Sequence, residues 1–245
     1  MKSNFLLKKA LLFIICFNLI SCGNDNDENI TDEDLPSANL DKESETIINK
    51  YKSTRQWIGR WNTSSRKPDF IFLSDGTCLM DGKYTTGYTV GKWKYNPDTK
   101  YMTTTCGSWI WTVNDFDINQ WTGISSGGTA YVYTRGYWNC PNDELLIGKW
   151  LNTEASISIT FKANKEYIIT ATDTEFKGNY EVNTYSPSDW NDEYLFARYM
   201  YLSGDINGKM RVNYLDGKQL IFDDFEGSSE TEPYKLTYIY SDFVK

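Results

Sequence analysis

Histidine is missing altogether from this 245-residue chain, which removes the commonest general base and the usual nucleophile triads. There is no Cys-x-x-Cys pair either, so structural zinc lacks its ordinary ligand spacing. A Gly-rich phosphate loop and a nucleophile elbow are also absent. Basic residues are in the minority, 25 against 33 acids for a net charge of −8, and they form no stripe; binding to nucleic acid normally needs clustered Lys and Arg. No apolar run reaches the roughly 20 residues of a spanning helix. These absences leave a reading with no enzyme activity, no metal, no cofactor and no nucleic acid. Asp205-Ile206-Asn207-Gly208-Lys209 lacks the ligand spacing and distal glutamate of a calcium loop and reads as a hairpin turn. Carboxylate pairs such as Asp115 with Asp117, or Asp223 with Asp224, have the chemistry of a glycosidase, but adjacent strand carboxylates usually face solvent.

What is present begins with a leader. Lys2, Lys8 and Lys9 precede the short apolar run Leu11–Ile20, which ends at Ser21-Cys22; this is the basic then apolar layout of a secretory signal. Leu19-Ile20-Ser21-Cys22 resembles the bacterial lipoprotein signal, which implies cleavage before Cys22 and acylation of its sulfur, making membrane lipid a partner. From Cys22 to Glu45 there are nine acids and one lysine, too little apolar matter to offset the entropy of ordering. Residues 23 to about 46 therefore read as a disordered, self-repelling tether. Gly23-Asn24-Asp25-Asn26-Asp27-Glu28 resembles the acid-rich signal for the outer face of the outer membrane; the alternatives are a merely solvated linker and a periplasmic location. Beyond Cys16 and Cys22, Cys78, Cys106 and Cys140 remain. They could form one disulfide with a thiol left over, or stay reduced.

The rest of the chain repeats itself. Gln56-Trp57-Ile58-Gly59-Arg60-Trp61-Asn62 returns as Leu145-Leu146-Ile147-Gly148-Lys149-Trp150-Leu151, 89 residues later. At the same offset Phe70-Ile71-Phe72 answers Ile159-Thr160-Phe161, and Ser74-Asp75-Gly76-Thr77 answers Ala163-Asn164-Lys165-Glu166. With small shifts Gly91-Lys92-Trp93 answers Gly178-Asn179-Tyr180, Phe116 to Gly123 answers Leu220 to Gly227, and Tyr131-Val132-Tyr133 answers Tyr238-Ile239-Tyr240. Two copies of about 90 residues fit a duplicated domain. The expected division is 1–21 signal peptide, 22–50 lipidated cysteine and linker, 51–140 first copy and 141–245 second copy.

Both copies carry the marks of antiparallel strands. Residues 85–95, 101–105 and 109–113 in the first copy are rich in β-branched and aromatic residues, as are 157–161, 167–172, 195–202, 209–214, 219–222 and 235–240 in the second. Asp75-Gly76, Asp81-Gly82, Asn207-Gly208 and Asp216-Gly217 supply hairpin turns with positive φ. Outside the leader, only Glu43 to Arg55 reads as helical, either an entry helix plugging the first barrel or the end of the tether. The expected fold is all-β, with two tandem small antiparallel barrels. Gly59-Arg60-Trp61 and Gly148-Lys149-Trp150, each followed by antiparallel strands and a closing aromatic strand, resemble the lipocalin-like domains of bacterial surface lipoproteins. The resemblance implies a structural role for Gly59, Trp61, Gly148 and Trp150, each ring packing across the closed end of its barrel. It also implies an arginine over that ring near the last strand; Arg135 fills this place in copy one, whereas Tyr240-Ser241-Asp242 offers none in copy two.

Aromatic residues make up 16 % of the chain, and tryptophans concentrate in the first copy. The i, i+2 spacing places Trp109 and Trp111 on one side of a strand, and Tyr131 and Tyr133 likewise. Buried, such rings fill a small core; exposed, they stack on sugar rings or grip an apolar ligand. Trp93, Trp109, Trp111 and Trp121 are the candidate ligand-binding residues, with Tyr131 and Tyr133 behind them. Two functional classes follow: a surface lipoprotein that binds a small apolar ligand or a glycan, or an interaction lipoprotein whose filled barrels dock to another envelope protein.

Overall fold

The computed structural model describes residues 40–63, 68–81, 87–140, 142–152, 154–171, 174–185, 197–223 and 236–244. Its strands close into two eight-stranded antiparallel barrels. In the first, β1 (Gly59–Thr63), β2 (Asp69–Phe72), β3 (Thr77–Asp81), β4 (Tyr88–Asn96), β5 (Tyr101–Thr104), β6 (Ile110–Asp117), β7 (Gln120–Ser125) and β8 (Ala130–Gly136) pair in sequence order, and β8 returns to β1. The second repeats the scheme with β9 (Gly148–Asn152), β10 (Ile157–Phe161), β11 (Glu166–Ala171), β12 (Thr174–Tyr185), β13 (Ala197–Gly204), β14 (Gly208–Leu215), β15 (Gln219–Asp223) and β16 (Leu236–Tyr240), closed by β16 against β9. Helix α1 (Lys42–Tyr51) precedes the first barrel. Among the described residues no helix is long and apolar enough to cross a membrane. Cys22 and its leader lie outside the described residues.

By packing, the described residues divide into two units: those within Tyr51–Asn142 with Asp216–Lys218, and those within Asp143–Leu215 and Gln219–Lys245 with residues 40–50. The sequence assigns α1 either to the first barrel or to the tether. It belongs instead to the unit of the second barrel, where the Ser44 hydroxyl accepts the Ala163 N–H at 2.8 Å and Lys50 pairs with Glu144. Its start also falls inside the stretch read as tether.

The duplication extends to individual hydrogen bonds. Trp61 Nε1 donates to the Trp57 carbonyl at 2.8 Å, and Trp150 Nε1 to the Leu146 carbonyl at 2.7 Å. Trp93 Nε1 donates to the Leu73 carbonyl, and the Tyr180 hydroxyl to that of Lys162. Gly59 and Gly148 both open their barrels at positive φ, 133° and 123°. The β6–β7 ladder shifts register between Val113 and Asp115, and β14–β15 between Val212 and Tyr214. A bulge at the same place in each copy is a shared feature of the architecture.

Pairing also corrects two parts of the sequence alignment. Trp61 lies opposite Arg135 and Trp150 opposite Tyr240, so Tyr133 answers Tyr238, two residues away from the match made by aromatic pattern. A slip of two keeps the same side chains pointing inward, which is why pattern alone does not detect it. Phe116 to Gly123 spans the β6–β7 hairpin, whereas Leu220–Asp223 belong to β15 alone; Trp121 and Leu220 are the matched residues, opposite Tyr133 and Tyr238. Of the four expected turn glycines, Gly76 has positive φ. Gly82 lies outside the described residues. Gly208 is already in β14 while Gly204 takes the positive φ, and Gly217 is small because the Arg55 carbonyl passes where a Cβ would be.

Candidate functional site

Strand alternation turns Trp111 and Val113 of β6, Trp121 and Gly123 of β7, and Tyr131 and Tyr133 of β8 into the first barrel. Trp109, two residues before Trp111, stacks parallel on it with centroids 5.6 Å apart and an interplanar angle of 7°. Trp111 meets Phe70, Trp121 and Tyr133 edge-on. Trp121 lies flat against Tyr133 at 4.4 Å and edge-on to Trp57 at 5.8 Å. Five of the six candidate residues are thereby brought into one ladder of rings. Trp93 stands apart from it, against Phe72 at 5.1 Å, and its hydrogen bond to Leu73 duplicates that of Tyr180, which marks it as architectural.

Exposure grades along the ladder. Trp57, Trp111, Trp121 and Tyr133 are fully buried, Tyr131 is 6 % exposed, and Trp109 is half-buried at the end of the row. Side chains with no accessible surface have no water-sized gap against them, so these four rings are closely packed. Gly123 makes the packing feasible: a Cβ there would come within 2.7 Å of the Trp121 ring. At the other end, Trp61 lies under the Arg135 guanidinium, 4.3 Å from its centroid. Arg135 also donates to the carbonyls of Ile58, Gln56 and Ile118 and pairs with the buried Asp216 at 2.7 Å. The arginine implied by the lipocalin-like resemblance is therefore in place in the first barrel, and in the second Tyr240 packs edge-on against Trp150 at 5.3 Å.

Polar groups inside the ladder are poorly served. The indole N–H groups of Trp57, Trp111 and Trp121 and the Tyr133 hydroxyl are buried without a hydrogen-bond partner, each a cost of about 1–3 kcal/mol. Burial pushes the Tyr133 phenol well above its usual pKa, with Tyr131 and Asp69 adding to the rise. The Trp111 N–H leans toward the Tyr133 oxygen and opposes that rise, but it stops short of hydrogen-bond geometry.

The second barrel builds the same positions differently. Trp57 corresponds to Leu146, since each supplies the carbonyl for the tryptophan four residues on. Trp111 lies opposite Met102 as Met210 lies opposite Met200, which pairs Trp111 with Met210. Trp121 corresponds to Leu220, Gly123 to Phe222 and Tyr131 to Leu236. The first barrel thus carries indoles where its copy carries aliphatic side chains. Trp57 and Phe70 are ring partners that strand spacing did not nominate; the signal for Trp57 was its exchange for Leu146 within an otherwise matching repeat.

Elsewhere, Cys78 and Cys106 are joined by a disulfide and Cys140 is buried. Asp115 and Asp117 are exposed, and Asp205, in the turn between β13 and β14, accepts the N–H of Lys177 on the neighbouring strand β12. Among the described residues no cluster has the makings of a metal site. No family model matches the chain, and no curated protein does.

Proposed function

We propose that this chain is a non-catalytic envelope lipoprotein, anchored through acylated Cys22 on the surface of the outer membrane, whose first barrel binds a small apolar ligand or a glycan. The observation that carries the binding reading is the ring ladder that starts at half-buried Trp109 and runs inward through Trp111 to Trp121 and Tyr133. Rings in such a row offer flat apolar contact to a sugar or hydrocarbon face. A disulfide between Cys78 and Cys106 fits folding in an oxidising compartment, in keeping with a leader that ends at Cys22. Tryptophan-fluorescence titration against glycan and fatty-acid panels tests the binding: saturable quenching is expected, and a flat response to both panels counts against it. Radiolabelled palmitate should enter the wild-type chain and not Cys22→Ala, and protease added to intact cells should clip the surface form.

A second reading, docking of filled barrels to another envelope protein, is favoured by a different observation. On the outside of β5–β8, Tyr101, Ile110, Ile124 and Val132 are exposed among threonines, and the inward-outward alternation there places no charged residue between them. Crosslinking on intact cells would recover one defined partner under this reading, and none under the first.

A further inference from the structure

The second barrel serves as an internal control for the first. It closes the same eight strands, with the same bulge and the same tryptophan-to-carbonyl bond, using Leu146, Met210 and Leu220 in its interior. The fold therefore does not require an indole at any of these places. The first barrel nevertheless buries three indole N–H groups and the Tyr133 hydroxyl without partners, and unmet buried donors destabilise a protein relative to apolar groups of similar shape. Edge-on contacts, 81° between Trp57 and Trp121 and 88° between Trp111 and Trp121, let an N–H rest on a ring face, but such contacts are weaker than a bond to oxygen.

The chemistry of these groups narrows what would satisfy them. An indole N–H only donates, and a phenol donates or accepts, so a ligand must bring acceptor oxygens. The surrounding rings call for a flat apolar body. A carboxylate ligand would find no relief: the Asp69 charge already bears on Tyr133, Arg60 is held by Asp69 and Asp81, and Arg135 by Asp216 and three carbonyls. A buried charge without a partner is expensive. Half-buried rings border the row at both ends, Tyr95 and Phe116 against Trp57 and Trp109 against Trp111, and the Trp109 end is the one with a loop to move. Trp109 follows Gly107 and Ser108, whose φ of 74° and 55° are both left-handed.

Resting on the binding reading above, we propose that the ligand is a neutral planar compound bearing a carbonyl or ether oxygen, taken up by the first barrel alone once Trp109 swings off Trp111. The ligand ring takes the place of the Trp109 indole on the face of Trp111, and its oxygen is offered to the Trp111 N–H and to the Tyr133 hydroxyl that Trp111 packs against. The second barrel keeps a buried tyrosine, Tyr238, at the place of Tyr133 but has Leu146, Met210 and Leu220 in place of the three indoles, and it takes no part.

Equilibrium dialysis of the full chain against acetylnaphthalene, naphthalene and naphthoate tests this, with the glycan and fatty-acid panels run alongside. The carbonyl compound should bind about tenfold tighter than the other two, since it alone supplies a neutral acceptor. Trp111→Met with Trp121→Leu, which installs the second barrel's residues, should abolish binding. Because that pair could also loosen the fold, Tyr133→Phe is the decisive variant: it should weaken binding about threefold to tenfold while its Tm stays the same or rises, as expected when a buried unpaired hydroxyl is removed. Tyr238→Phe, the matching change in the second barrel, should leave binding unaltered. Naphthoate binding as tightly as acetylnaphthalene would overturn the ligand class, and loss in Tyr238→Phe with retention in Tyr133→Phe would overturn the site. If the three aromatics are ignored while a glycan or fatty acid is held, this inference fails and the binding reading survives; if nothing is held, both fail.

Discussion

Arg135 and Tyr240 occupy matched positions opposite the two barrel-opening tryptophans, and they hold them by different means. The guanidinium covers Trp61 and reaches three carbonyls and a buried carboxylate, whereas Tyr240 sets its ring edge-on against Trp150. Arg135→Lys keeps the charge but loses the planar fork that serves several acceptors at once. It should cost about 2–4 kcal/mol, somewhat less than the roughly 3–5 kcal/mol of removing one partner of a buried pair outright, read as a fall in the denaturation midpoint; a loss under about half a kcal/mol would mean the fork is dispensable. Gly91 and Gly178 make a second matched pair. A Cβ at Gly91 would lie 2.4 Å from the Cys106 nitrogen, and at Gly178 only 1.9 Å from the Ser203 oxygen. Both obstacles are backbone and cannot turn aside, so Gly91→Ala and Gly178→Ala should each destabilise by at least the 1–3 kcal/mol roughly typical of overpacking, measured by urea unfolding.

At the scale of single elements, α1 shows how a short helix is held. Asp41 precedes it and accepts both the backbone N–H (2.9 Å) and the hydroxyl (2.8 Å) of Ser44. The backbone bond is the main reason its carboxyl titrates below the usual value. Because the folded pKa is the lower one, the cap's contribution is complete above the ordinary carboxylate value near 3.8 and fades as pH falls through the folded value. Asp41→Ala should therefore cost about 1 kcal/mol at neutral pH and progressively less in strong acid, followed by hydrogen exchange of the α1 amides; a pH-independent loss would exclude the carboxylate as the cap. Most strands were visible in the amino-acid sequence because alternation and turn residues mark them locally. β3, β7 and β12 were not picked out; the twelve residues of β12, Thr174–Tyr185, mix Lys, Glu, Asn and Gly among the aromatics, and its length is set by pairing with β11 and β13, which is not local information. The turns were legible only in part, since Lys165 takes the positive φ that Gly76 has in the first copy.

On the scale of the whole molecule, duplication was the easiest property to read and the division of labour between copies the hardest. Gly-x-Trp and the 89-residue offset expose the repeat, but which aromatic residue faces which aliphatic one depends on strand register. Trp121 and Leu220 were found to match only through their partners Tyr133 and Tyr238. The candidate rings were nominated by spacing, and spacing could not tell that Trp93 belongs with the architecture. Two closed sheets with no strand in common also predict two separately stabilised cores. The Cys78–Cys106 bond closes a loop of 28 residues, which in the chain-entropy view is worth about 3–4 kcal/mol. Cys78→Ala with Cys106→Ala should thus lower hydrogen-exchange protection throughout β1–β8 by that amount. Strands β9–β16 should keep their protection, apart from residues 216–218, which pack with the first unit. An equal loss in both barrels would show that the two cores unfold as one, and matched positions could then no longer be compared as independent solutions to the same fold.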